Sequence, residues 1–243
     1  MISKTENSIW VVSFDIGIKN FAFCLEEYNT DSLYTINNIK NKYNLDGTPT
    51  KEFSTELDKL YKSGKIILLV NKDLSGGKKC ETKLDPEVYF TMYKHLDDYK
   101  CYWDLCNFFI VEEQMSFGKK QNKNACKLGQ HCQSYFMFVY GKFKPVIEFP
   151  AYHKTQVLGA PKTQKITKTG KITYKAMIKK ERKDWAIIKA KQILTLRNDS
   201  ENLQHFEKKR RKKGVKKMKL DDISDCLLHN SSFIFLAYVE EKI

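Results

Sequence analysis

Three groups of carboxylates attract attention by the company they keep. Asp15 ends a run, 9–14, that is mostly apolar and β-branched or aromatic, which reads as a buried strand. Glu112 and Glu113 end a second run of this kind, FFIV at 108–111. Asp221, Asp222 and Asp225 open an amphipathic helix pattern in KLDDISDCLLH at 219–229. An acid at the tip of a buried strand is costly to desolvate unless a cation sits beside it. On a helix, residues three and four apart share a face, so Asp221, Asp222 and Asp225 project to one side within a turn. Taken together, the three groups fit a hard-cation site of carboxylate oxygens, suited to Mg²⁺ or Mn²⁺. Two such ions about 4 Å apart can activate a water and stabilise the leaving oxygen of a phosphodiester displacement. Each group also has a simpler reading. Asp15 can cap a turn, Asp221 can serve as an N-cap, and Asp222 can complement the helix dipole. Those readings leave Asp225 without a role. Gly17, just past Asp15, would let a backbone such as a phosphodiester approach where a Cβ would clash.

The elements that must carry these acids follow from the pattern around them. Strands at 9–14, 20–27 and 32–39, with a turn at 28–31, form an antiparallel meander. From about 40 to 85 the pattern loosens into loop signals around one short apolar run, 66–70, and reads as a partly ordered insertion. Helical spacing returns at 86–102, with Pro86 in a first turn, and again at 122–140. Strands at 108–111 and 145–149 flank that second helix, and a strand–helix–strand unit argues for parallel pairing. A helix at 176–197 follows an exposed, mobile loop at 159–175, and the last helix runs from the Asp cluster through Ile234 and Phe235. The fold class is α/β: a mixed sheet with helices on both faces, in one domain spanning 1–243.

Charge narrows the partner. The chain carries 43 Lys and Arg against 29 Asp and Glu, a formal charge of +14, which points to a polyanion and most simply to nucleic acid. Lys19, Lys179, Lys180 and Arg182 are candidate phosphate contacts. So are Lys208, Lys209, Arg210, Arg211, Lys212 and Lys213 within a basic segment at 205–219. The bland alternative for that run is a solvated tail or a localisation signal. No apolar run approaches the length of a membrane span, and no signal or transit peptide is evident. The seven cysteines are odd in number and contain no CxxC, as expected of reduced thiols in an intracellular protein. Cys126, His131 and Cys132 lack the second pair that a zinc site needs. No P-loop, GxGxxG or nucleophile motif competes with the acids.

DIGIKN at 15–20, VEEQ at 111–114 and KLDDISDCLLH at 219–229 resemble, in this order, the three acidic motifs of RNase H-fold Holliday junction resolvases. The likeness is greatest to the poxvirus and fungal mitochondrial branches of the RuvC superfamily. It covers most of the chain outside 40–85. The resemblance implies an RNase H-like five-stranded sheet of three antiparallel and then parallel strands. It makes Asp15 the first-strand metal ligand, Glu112 the glutamate of a Glu-x-Gln motif, and Asp222 and Asp225 the helix pair. Glu113 and Asp221 are the register alternatives that the doubled acids leave open. Arg182 and Lys183 resemble a basic pair preceding a helix in the poxvirus enzymes, where Lys183 would assist the scissile phosphate. The implied protein is a Mg²⁺-dependent, homodimeric endonuclease that resolves four-way DNA junctions in recombination and repair. Two alternatives stand beside it: another RNase H-fold nuclease acting on RNA–DNA hybrids or flaps, and a non-catalytic DNA-binding protein. The wealth of Lys, Asn and Ile fits an AT-rich genome such as that of a large DNA virus, which would place the protein in the cytoplasm.

Overall fold

The computed structural model describes residues 2–77, 84–114, 122–167, 169–207 and 219–243. In chain order, β1 (Ser8–Asp15) and β2 (Phe21–Asn29) lead into a short helix α1 (Thr30–Leu33), then α2 (Lys51–Ser63) and β3 (Gly64–Lys72). Helices α3 (Pro86–Asp97) and α4 (Lys100–Trp103) precede β4 (Phe108–Glu112), α5 (Lys123–Tyr140) and β5 (Val146–Phe149). There follow α6 (His153–Val157), β6 (Thr163–Ile166), β7 (Ile172–Lys175), α7 (Lys179–Leu196), α8 (Ser200–Phe206) and α9 (Leu220–Ile234). A π-helical turn, Phe235–Val239, extends α9.

One five-stranded sheet organises the molecule, in the order β3-β2-β1-β4-β5. β1 pairs antiparallel with β2, and β2 with β3, whereas β4 runs parallel to β1 and β5 parallel to β4. Period-two alternation splits the sheet residues between two cores. Ile9 and Val11 pack with buried residues of α2, α7 and α9. Trp10, Val12 and Phe14 pack instead with α3, α4 and α5, where Phe109 stacks on Phe136 at 4.1 Å between ring centroids. A strand buried on both faces reads as a continuous apolar run, which is why 9–14 and 108–111 carry so clear a signal.

Two expected elements differ. The third antiparallel strand is not 32–39 but β3, which lies within the stretch expected to be an insertion. Asn29 caps a helical turn at 30–33 by accepting a hydrogen bond from Ser32 N at 2.8 Å, and that turns the chain away from the sheet. The loop expected at 159–175 contains the hairpin β6–β7. Among the described residues, no helix is long and apolar enough to cross a membrane.

Candidate active site

Parallel pairing sets Phe14 of β1 beside Val111 of β4, so Asp15 and Glu112 leave the sheet as neighbours. Both face α9. Ser13, two residues before Asp15, donates a hydrogen bond to the carbonyl of Cys226 in α9 at 2.6 Å. On β4, Ile110 belongs to the α9-side core while Phe109 and Val111 belong to the other. Alternation therefore turns Glu112 inward and leaves Glu113 exposed. A second tether, from Asn230 Nδ2 to the carbonyl of Cys24 at 2.9 Å, holds α9 across the antiparallel strands. These two bonds fix the helix so that its first turns carry Asp222 and Asp225 over the strand tips.

The acids meet an internal cation that sequence reasoning missed. Lys154 of α6 is buried, with its ammonium 2.8 Å from Asp225 Oδ2 and 3.6 Å from Glu112 Oε1. A lone lysine in a chain with 43 Lys and Arg carries no signal in its spacing. Burial works against its charge, but Glu112, Asp225 and Asp15 together hold its proton more firmly than in water. Burial likewise pushes the Asp15 carboxyl well up, and repulsion from Glu112, Asp225 and Asp222 adds to the shift. Glu112 is raised by burial and by Asp225, against the pull of Lys154 and a hydrogen bond with Asp15. This is an overcrowded set of acids with one buried ammonium among them.

Asp222 is also buried and raised by desolvation, against Lys219, which pairs with its Oδ1. Its Oδ2 has no hydrogen-bond partner among the described residues. A buried carboxylate oxygen without a donor is rare and suits a ligand position facing a cation. As the side chains stand, no three His, Cys, Asp or Glu among the described residues gather closely enough to hold a metal ion. The Lys154 ammonium bridges Asp225 and Glu112. The donor chemistry fits a hard cation nonetheless, since four carboxylates share one electrostatic neighbourhood with the buried ammonium of Lys154.

Asp221 goes elsewhere. It pairs with Lys183 of α7 and lies 3.3 Å from Lys219, and these partners outweigh burial and lower its pKa. It is not the N-cap, which is Lys219. Among the expected phosphate contacts, Lys179, Arg182 and Lys183 line a cleft of about 500 Å³ together with Lys154, Glu112 and Asp225. Glu113, though exposed, also lines this cleft. Lys19 and Lys180 are exposed and are not among its lining residues. Lys208, Lys209, Arg210, Arg211, Lys212 and Lys213 lie outside the described residues. Gly17 serves the tight turn between β1 and β2: a Cβ there would meet the Asn20 carbonyl oxygen at 2.9 Å. The close approach is by the chain's own backbone, so the expectation of a phosphodiester at that glycine is corrected.

Sheet order, strand directions and two-sided helix packing define an RNase H-like α/β fold. The chain is similar to the fowlpox virus resolvase solved with substrate Holliday junction DNA, with a TM-score of 0.51 and 17% identity over 93% of this chain and 97% of that one. It is also similar to the yeast mitochondrial Holliday junction resolvase Ydc2, with a TM-score of 0.52 and 12% identity over 100% of this chain and 83% of that one. The chain belongs to the family of the uncharacterized protein 170L of Invertebrate iridescent virus 6, with 31% identity over 98% of this chain and 94% of the relative. Uncharacterized protein 97L of Invertebrate iridescent virus 3 is 29% identical over 77% of this chain and 87% of its own length. No protein-family model matches.

Proposed function

We propose that this protein is a divalent-metal-dependent endonuclease that hydrolyses phosphodiesters in branched DNA, with the four-way junction as its substrate. One observation carries the reading: Asp15, Glu112, Asp222 and Asp225 gather from three elements, and Glu112 and Asp225 among them line a cleft together with Lys179, Arg182 and Lys183. Acids alone would repel a DNA strand, and a basic wall alone would bind it without cutting. The combination holds a phosphodiester against carboxylates that themselves require a cation. The resemblance in fold to resolvases, one of them seen with a Holliday junction, supports the choice of substrate.

Asp15, Glu112, Asp222 and Asp225 would hold Mg²⁺ or Mn²⁺, which supplies Lewis-acid stabilisation and an activated water when bound. The chain's own contributions are then distinct. Lys179 and Arg182 neutralise and orient the backbone. Lys183, steered by Asp221, presents its ammonium from the first turns of α7 toward the cleft, where it stabilises charge gathering on the phosphate. Lys154 keeps Asp225 and Glu112 in place through its ammonium. Paired, symmetric cuts across a junction need two such sites, so the working unit is a homodimer. The two relatives named are proteins of invertebrate iridescent viruses, and we place the protein in viral recombination and repair.

Cleavage of a synthetic four-way junction, an RNA–DNA hybrid, a flap and a linear duplex, side by side in Mg²⁺, tests this. Paired nicks near the branch of the junction alone are expected. Cutting of the hybrid or flap in preference assigns a different nuclease, and binding without cleavage of any substrate assigns a DNA-binding protein.

A further inference from the structure

The hairpin β6–β7 is two-faced, and neither face belongs to a core. Its register pairs Ile166 with Ile172 and Gln164 with Tyr174, and pairs Lys165 with Thr173 and Thr163 with Lys175. Paired residues lie on the same side of a ribbon and successive residues on opposite sides. One face therefore carries Ile166, Ile172 and Tyr174, and the other carries Lys165 and Lys175. Ile166 is 71% exposed and Ile172 51%. The turn between the strands is pinned by Thr167, whose Oγ1 accepts from Lys171 N at 3.0 Å. A two-stranded ribbon is marginal by itself in water, and its apolar pair stands at the end nearest the turn.

Both roots of the hairpin join, within a few residues of chain, helices that contribute side chains to the cleft. One leads back to α6, which carries Lys154, and the Lys162 amide near that root donates to the Asp46 carbonyl at 2.6 Å. The other root is three residues from α7, which carries Lys179, Arg182 and Lys183. From Gly159 to Lys180 the sequence contains no Asp or Glu. A second copy of a chain with a formal charge of +14 would meet this arm with like charge, whereas DNA would meet it with opposite charge. Apolar side chains flanked by lysines also match the way proteins wedge between base steps while holding the phosphates on either side.

We propose that the β6–β7 hairpin is a DNA-binding arm whose apolar face, Ile166 and Ile172, enters the unstacked centre of a branched duplex while Lys165 and Lys175 follow the backbone. The arm selects branched over linear DNA and delivers the branch to the cleft. This rests on the junction reading above and adds to it the element that recognises the branch.

The test uses the full chain in chelator, so that binding is measured without cleavage. Anisotropy compares a labelled four-way junction with a linear duplex, and 2-aminopurine at the branch reports unstacking. The double variant Ile166→Ser/Ile172→Ser should bind junction about tenfold more weakly, bind duplex within about twofold of wild type, and lose the 2-aminopurine rise. The variant Lys165→Gln/Lys175→Gln should weaken both complexes and flatten the slope of log affinity against log salt by about two units. Melting curves verify that the variants fold. Junction binding and 2-aminopurine signal at wild-type level in the serine variant would overturn the wedge, as would equal loss on both substrates. Loss of self-association with junction binding intact would overturn it in favour of a second copy. An unchanged salt slope in the glutamine variant would overturn the backbone contact. If wild type itself shows no preference for the junction, the functional reading falls first and the wedge falls with it.

Discussion

At the residue scale the chemistry turns on which of the doubled acids face inward. Glu112→Gln should abolish cleavage, whereas Glu113→Gln should stay within a few-fold of wild type, because strand alternation turns Glu112 toward α9 and leaves Glu113 exposed. Single-turnover rates on a labelled junction distinguish the two, and the reverse order would shift the site by one residue. Sequence alone leaves Glu112 and Glu113 equivalent, since the face of a residue at the end of a strand depends on what packs above it. The same holds for Asp221 and Asp222, whose facing depends on how α9 docks. Lys154 is illegible for another reason: nothing in its sequence neighbourhood marks it as a lysine that is buried among acids. Lys154→Met should lower the melting temperature in chelator, by about 3 kcal/mol of lost stability, because Asp225, Glu112 and Asp15 then repel without compensation. Added Mg²⁺ should restore more stability to this variant than to wild type. Equal melting curves would contradict the placement of that ammonium.

At the scale of elements, the strands ending in acid are legible because burial on both faces makes them continuously apolar. The third strand is hidden. Helix α2 runs into β3 at Ser63 and Gly64 with no intervening loop, and a Ser-Gly pair reads as a turn. Phe53, Leu57, Leu60 and Tyr61 do carry helical spacing, but loop signals on either side mask it. That joint is locked by a buried pair: Arg197 at the end of α7 donates to Glu26 Oε1 at 2.6 Å and to the Tyr61 carbonyl at 2.5 Å. Replacing Arg197 with Met leaves Glu26 as an unpaired buried charge on β2, and should cost about 3–5 kcal/mol in a denaturant titration. A loss below about 1 kcal/mol would show that the pair is not a clamp. Helix α9 also sets a pH dependence. His229 is fully buried, and its pKa is pushed well below the ordinary 6.5 by burial and then by Lys154 and His153. The unfolded chain binds this proton near pH 6.5 and the folded chain does not, so His229 favours folding above that pH and the gain is lost as pH falls. Between about pH 7 and pH 5 the melting temperature should fall, and His229→Gln should flatten that part of the curve. An identical slope in the variant would remove His229 as the cause.

At the scale of the whole molecule, the excess of positive charge points to a polyanionic partner without reference to the fold. What composition does not give is its distribution: Lys179, Arg182 and Lys183 in the lining of the cleft, a stretch from Gly159 to Lys180 without Asp or Glu, and, in the sequence, the run at 208–213. Replacing Lys208, Lys209, Arg210, Arg211, Lys212 and Lys213 with alanine should weaken junction and duplex binding alike. The salt slope should flatten by about one unit for each phosphate that is no longer neutralised. A localisation signal would leave both affinity and slope unchanged. The central claim is that the gathered carboxylates cut the DNA that the basic surface holds. The most direct test measures cleavage and binding together on one labelled four-way junction, with wild type and Asp15→Asn in Mg²⁺. Paired nicks are expected from wild type and none from Asp15→Asn, which should bind the junction at least as tightly because one negative charge facing phosphate is gone. Cleavage by Asp15→Asn at the wild-type rate would contradict the claim.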